Sequence, residues 1–198
     1  MTGQKNLTQD WRRIFVWTLE RLESGEPLKQ AAMAEALAAW TKHLTAVVVA
    51  GCEAMGWRAA AKGYPGQVLP FSRSEYLALA LDVVAFADSS ARWPFPVAIF
   101  ELENSPVDDL VGYALWKVLC VRAAARFVFA YRRDGEAGVA LIGHLTQSVI
   151  GGFSIVDRLA IRGDTTVIIG NRGGSETFPY GYFKAWTLNT NTGRFDRV

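Results

Sequence analysis

Three carboxylates in the middle of the chain have the types and the spacing that a metal site requires. Glu101 and Glu103 close an apolar run, VAIFELEN (97–104), and Asp82 interrupts an earlier one, LDVVAF (81–86). Because side chains alternate along a strand, Glu101 and Glu103 are expected on one face. Grouped carboxylates repel one another and burial raises their pKa values, and a divalent cation relieves both effects. Magnesium, or manganese in its place, prefers one or two carboxylates plus waters and phosphate oxygens, and it activates water for attack on a phosphoryl group.

The spacing of apolar residues predicts the elements that must position these acids. We expect strands over residues 57–63, 75–88 and 97–104, a helix from Ser105 to about Ala124, and a strand over 126–131. If the second and third strands are antiparallel neighbours, Asp82, inside the second, meets Glu101 near the strand ends. Their carboxylates should then lie within about 4 to 6 Å of each other.

The segment after VAIFELEN predicts a crossover connection. Ser105, Pro106 and Asp108 form a capping-box pattern at the start of a helix. The apolar face of this helix, which should pack on the sheet, comprises Val111, Leu115, Val118 and Leu119. A strand, a helix and a strand this close together form a βαβ unit with a right-handed crossover, so the strands at 97–104 and 126–131 should be parallel.

The fold class predicted from these elements is mixed α/β, with a central mixed sheet flanked by helices in an αβββαβ core. Helices are expected from Thr8 to about Leu22, from Pro27 to Met55 and over 138–149, and a β meander is expected after Gly152. Residues 1–150 should hold the N-terminal helices and the core, and residues 151–198 a β-rich extension of the same domain. A chain of 198 residues is long enough for one such domain.

The element order and the acids resemble the restriction-endonuclease-like, or PD-(D/E)XK, nuclease superfamily. The resemblance covers roughly residues 28–133 and rests on LDVVAF, VAIFELEN and YALWKVL (113–119). It implies a magnesium-dependent phosphodiesterase acting on DNA, in which Asp82 and Glu101 bind the metal. It also implies that an acid on the first core helix assists them, and Glu53 is the residue that matches.

The chain departs from the family signature at the lysine. Glu103 stands where the signature has lysine, and Leu81 stands where a proline often precedes the aspartate. Some members carry the lysine on the next helix, which makes Lys117 the candidate; with Asp109 and Tyr113 it forms a stripe of residues four apart. In this interpretation Glu103 is a further ligand or a base, and Lys117 offsets charge on the leaving phosphate.

An acidic metal site repels phosphate, so cationic groups are expected to flank it. The overall charge of +2 selects no partner, but residues 121–133 contain four arginines and no acid. The candidate phosphate contacts are Arg122, Arg126, Arg132 and Arg133, the first two at helical spacing, and Trp93 is a candidate for stacking on a base. The alternative for the arginines is a solvated surface without a partner.

The remaining features predict an ordinary protein of the cytoplasm. Cys52 and Cys120 are expected as buried, reduced thiols. The N-terminus lacks the apolar segment of a signal peptide, and no apolar run is long enough to span a membrane, so no membrane partner is expected. A homodimer is compatible with the sequence. Four tryptophans are expected in the core: Trp11, Trp17, Trp40 and Trp116.

Three functions remain open at this point. The first is the metal-dependent nuclease. The second is the same fold with a decayed site that binds nucleic acid or protein, which the missing signature lysine favours. The third is a structural α/β domain in which the acids belong to a solvated strand end.

Overall fold

The computed structural model describes residues 7–21, 25–64, 69 and 80–198. Its α-helices are α1 (Leu7–Arg21), α2 (Gly25–Met33), α3 (Leu37–Ala54), α4 (Asp108–Leu119), α5 (Gly135–Ser148) and α6 (Ile155–Ala160). Its strands are β1 (Trp57–Ala61), β2 (Val83–Ala87), β3 (Ala98–Leu102), β4 (Ala125–Arg132), β5 (Asp164–Asn171), β6 (Phe183–Asn189) and β7 (Arg194–Arg197). Two short 3-10 helices cover Ile150–Gly152 and Arg172–Thr177.

Within the described residues, seven strands form one open sheet in chain order, from β1 to β7. β2 is antiparallel to β1 and to β3, whereas β3, β4 and β5 are parallel. β6 and β7 continue the sheet as antiparallel strands. The predicted mixed sheet with flanking helices is therefore confirmed, as is the parallel pairing of β3 with β4 across α4. The β meander predicted after Gly152 is confirmed for β5, β6 and β7, but Ile155–Ala160, before β5, form helix α6.

Helices cover both faces of the sheet because its central strands are apolar on both sides. On one face, α1, α2 and α3 pack against alternate residues such as Phe100 and Phe127. On the other face, α4 and α5 pack against the residues between them, such as Ile99 and Val128. The predicted inner face of α4 is confirmed, since Val111, Leu115 and Val118 are fully buried and Leu119 packs beside them.

The helices between residues 25 and 55 differ from the prediction of one long helix. Two helices are present, separated at residues 34–36, where Glu35 adopts a positive φ of 53°. A side chain other than glycine is strained in this left-handed region, and the alanine-rich pattern carries no signal for it. The predicted stop at Gly56 agrees with its φ of 74°, which glycine adopts without strain.

The bounds of α4 also differ from the prediction. The helix begins at Asp108, and its N-cap residue Val107 has no side-chain cap. The Ser105 hydroxyl accepts a hydrogen bond from the Val107 N–H at 3.1 Å, so this serine stabilises the turn before the helix and the capping-box prediction was wrong. The helix ends at Leu119, with the result that Arg122 lies in a loop and Arg126 on β4.

Several side chains that were expected in the core lie at the surface instead. Trp11 and Trp40 are buried, but Trp17 and Trp116 expose 44% and 48% of their areas. Cys120 is exposed, unlike Cys52, because it follows the last turn of α4. No helix among the described residues is long and apolar enough to cross a membrane.

Candidate carboxylate and lysine site

The pairing of β2 with β3 brings Asp82 and Glu101 together. Val83 lies opposite Phe100, and continuing this register by one residue places Asp82 opposite Glu101, on the same face. Asp82 directly precedes β2, so its predicted place inside a strand over 75–88 was wrong; residues 75–79 lie outside the described residues. Its Oδ2 accepts a hydrogen bond from the backbone N–H of Leu102 at 2.7 Å, which holds the carboxylate beside β3.

Glu101 is buried on the face of the sheet that α4 covers, and only 5% of its area is exposed. Lys117 extends from α4 and places its Nζ 2.8 Å from Glu101 Oε2. The same ammonium group donates a hydrogen bond to the backbone oxygen of Ala80 at 2.8 Å. One lysine therefore connects α4, β3 and the segment that leads into β2.

The burial of Glu101 alters its chemistry. Burial raises the pKa of its carboxyl to about 7, against the lowering effect of the Lys117 hydrogen bond, and the negative charge of Asp82 raises it further. The second carboxylate oxygen, Oε1, is buried and has no hydrogen-bond partner among the described residues. An unpartnered buried acceptor beside a second carboxylate is unfavourable without a proton or a cation.

The raised pKa makes the stability of the protein depend on pH. The folded pKa of about 7 exceeds the ordinary value of 4.5, so the stability contributed by the protonated form is complete below about pH 4.5 and is lost as pH rises through about 7. Glu101→Gln removes this dependence. We expect the unfolding free energy of the wild type, relative to this variant, to fall by about 2 to 3 kcal/mol from about pH 5 to about pH 8. Urea denaturation at both pH values measures it, and a constant difference would contradict the burial argument.

Glu103 has a different environment from Glu101. It lies one residue beyond β3, is half-buried, and its Oε1 accepts a hydrogen bond from the Ser105 N–H at 2.8 Å. Its own backbone N–H still pairs with the Phe129 oxygen at 2.9 Å. Glu103 thus stabilises the turn into α4. In the part of the chain that the structure describes, no three His, Cys, Asp or Glu side chains are grouped to hold a metal ion.

The structure does not bring Glu53 to this site. The N-terminal end of α3 lies beside the end of β3, because Asn104 donates hydrogen bonds to the Leu37 oxygen at 3.0 Å and to Thr41 Oγ1 at 2.7 Å. Glu53 lies in the last turn of α3, about 18 Å from Thr41 along the helix axis. In addition, α3 covers the opposite face of the sheet from α4. We therefore leave Glu53 out of the proposed site.

The four arginines occupy separate environments, which corrects the expected track. Arg126 is buried on β4 and donates hydrogen bonds to the backbone oxygens of Val118, Val121 and Arg162. Arg132 is also buried, and it pairs with Asp108 at 2.6 Å. Both guanidinium groups satisfy local acceptors, so neither is placed to contact phosphate.

The other two arginines are exposed at opposite ends of the sheet. Arg122 stacks on Phe95 and precedes β4 at the end of the sheet away from Glu101, since β3 and β4 are parallel. Arg133 directly follows β4, at the same end as Glu101, and pairs with Asp134 at the surface. Arg133 is thus the arginine of the four that remains a candidate for a phosphate contact.

Trp93 and the predicted stripe on α4 also lie differently from the expectation. Trp93 belongs to the loop from β2 to β3, and this loop lies at the end of the two strands opposite to Asp82 and Glu101. On α4, Lys117 turns toward Glu101, whereas Asp109 contacts His144 of α5 at 3.1 Å. Two residues of the stripe therefore have different partners: Lys117 contacts the sheet and Asp109 contacts α5.

Sequence reasoning missed the side chains that fix the turn after β3. Asn104 binds to α3, and Asp108 binds Arg132, so the chain between β3 and α4 is held from both sides. The position of Asn104 at the end of the apolar run VAIFELEN was a signal, because a partly buried polar side chain beside a strand end requires a partner.

Three comparisons with known proteins identified no relative of this chain. A scan against protein-family models, a search of curated proteins and a search of solved structures each gave no significant match.

Proposed function

We propose that the chain is a divalent-metal-dependent nuclease that hydrolyses phosphodiester bonds in DNA. The observation that carries the proposal is the placement of Asp82, directly before β2, opposite Glu101 on the adjacent strand β3, with Lys117 Nζ 2.8 Å from Glu101 Oε2. The element order α3–β1–β2–β3–α4–β4 agrees with the order that the resemblance to restriction-endonuclease-like nucleases implies. The contact of Lys117 with Glu101 supports Lys117 as the candidate for a lysine moved from the strand signature.

The two carboxylates fit what magnesium or manganese requires. Magnesium takes one or two carboxylates and fills its other positions with waters and substrate phosphate oxygens, so a third protein acid is not needed. The unpartnered Oε1 of Glu101 and the carboxylate of Asp82 are the oxygens that would hold it. When bound, such a cation supplies polarisation of the phosphoryl group and a more acidic water.

In the proposal, Lys117, Glu103 and Arg133 have separate roles. Lys117 pairs with Glu101 at 2.8 Å, and in the proposal it offsets negative charge on the phosphate. Glu103, two residues after Glu101, is the candidate further ligand or base, although its carboxylate accepts a hydrogen bond from the Ser105 N–H in the turn before α4. Arg133 is the exposed cation at this end of β4 that we propose for holding the DNA backbone.

A second function is favoured by specific observations. Glu103 replaces the signature lysine, and no group of three metal-ligating side chains is present in the described residues. Both observations support a nuclease-like domain whose site has decayed and which binds nucleic acid or protein. The Lys117–Glu101 pair would then be a structural ion pair.

A metal titration followed by cleavage assays tests these two functions. We expect calorimetric binding of Mn²⁺ to the wild type, with proton release near neutral pH, because the cation displaces the proton of a carboxyl whose pKa is about 7. We also expect metal-dependent cleavage of single- or double-stranded DNA. Binding without cleavage of either form favours the decayed site. Absence of metal binding and of cleavage would contradict the nuclease and leave a structural domain.

A further inference from the structure

Helix α6 presents its apolar side to solvent. Ile155, Val156 and Leu159 lie three and four residues apart, so they form one stripe, and Val156 exposes 77% of its area. No residue of α6 is buried. The polar side holds the helix to the protein: Arg158 donates a hydrogen bond to the Thr190 oxygen at 2.8 Å and another to the Asn191 oxygen at 3.3 Å. This is the reverse of an ordinary surface helix, whose apolar stripe faces the core.

A groove of about 490 Å³ lies between α4 and the segment that leads into α6. Tyr113, Trp116, Val149 and Phe153 line it. Tyr113 and Trp116 stack with a centroid distance of 5.9 Å, and both are about half-exposed. Gly112 also lines the groove, and a Cβ added there would contact Val149 at 3.4 Å. Phe153 precedes α6 by two residues, so the apolar groove and the apolar stripe are close along the chain.

The apolar area of this surface is somewhat below what each partner contributes to a standard interface. We define the α4–α6 surface by Tyr113, Trp116, Phe153, Ile155, Val156 and Leu159. At about 150 to 250 Å² for a fully exposed large side chain, the exposed parts amount to roughly 600 Å². This is the upper end of the largest apolar patches on monomers, about 300 to 600 Å². With a polar rim it approaches the roughly 800 Å² that each partner contributes to a standard interface.

We propose that the α4–α6 surface is the interface of a homodimer, in which α6 of each copy enters the groove of the other. The choice of a second copy follows from the presence, in one chain, of both an exposed apolar stripe and an apolar groove. A twofold axis requires such a self-complementary face, because each residue that contacts a partner residue is contacted in return. The proposal is independent of the nuclease function, since neither metal nor DNA takes part in it.

Sedimentation of the 198-residue chain over a range of concentrations tests the dimer. We expect the wild type to dimerise reversibly in the micromolar range, and Val156→Asp to weaken association by about 30-fold or more, because an unpaired carboxylate would be buried at the centre of the interface. The melting temperature of dilute Val156→Asp should equal that of equally dilute wild type, since Val156 is exposed within one chain. Val139→Asp is the matched control: Val139 lies on α5, exposes 62% of its area and is outside the α4–α6 surface.

The outcomes are distinct. Loss of the dimer in Val156→Asp but not in Val139→Asp supports the interface, and a further loss in Trp116→Ala supports the role of the groove. A wild type that remains monomeric at every concentration overturns the proposal. Equal weakening by the two aspartates overturns it as well, because the interface would then not be specific to this surface.

Discussion

Replacing Glu101 with glutamine is expected to reduce metal-dependent DNA cleavage at least about a thousandfold while the chain stays folded. Glutamine keeps the volume of the side chain, and its amide oxygen still accepts a hydrogen bond from Lys117. What disappears is the negative charge beside Asp82 and the buried oxygen Oε1 that lacks a partner. Mn²⁺ affinity should fall together with the cleavage rate. Initial rates at saturating metal and DNA, with circular dichroism for folding, measure the effect.

The matched control for this substitution is Glu53→Gln. Both residues are glutamates that the resemblance assigns to the metal, but Glu53 lies at the far end of α3 on the opposite face of the sheet. We expect unchanged metal affinity and an unchanged rate in this variant. Equal losses in the two variants would mean that Glu53 acts at the site. Unchanged cleavage in Glu101→Gln would remove Glu101 from it.

Replacing Trp11 with alanine is expected to lower the unfolding free energy by about 3 to 5 kcal/mol, the range for removing a fully buried large aromatic side chain. Trp11 is 0% exposed and connects α1 to the sheet. Its ring centroid lies 4.9 Å from that of Phe100 and 4.4 Å from that of Phe127, whose rings stack on each other at 4.9 Å. Denaturant unfolding measures the loss.

Trp17→Ala is the matched control, because Trp17 lies on the same helix and has the same size. It exposes 44% of its area, and its ring is covered by Arg21 at 4.6 Å. A surface position of this kind should change stability by less than about 1 kcal/mol. Similar losses at both positions would show that α1 contributes through its helical structure and not through the packing of Trp11.

The sequence alone predicted four elements of the core. Apolar periodicity predicts β1, β3, α4 and β4, and the short connection between β3 and β4 through a helix requires parallel strands. The sequence was less informative where one propensity extends over two separate elements. The alanine-rich segment from Pro27 to Met55 has high helix propensity throughout, so the break at Glu35, which depends on tertiary packing, leaves no mark in the composition.

For the candidate site, Asp82 and Glu101 were proposed because charged residues that interrupt or end apolar runs are unusual, and Lys117 was added from the resemblance to the nuclease superfamily. The tertiary structure determines which of these charged side chains lie close together. The register of β2 against β3 places Asp82 opposite Glu101, and the packing of α4 on that face brings Lys117 to it. The same packing buries Arg126 and Arg132 against local acceptors, although in the sequence they look identical to the exposed Arg133. Burial and pairing depend on residues distant along the chain, and spacing within one segment carries no information about them.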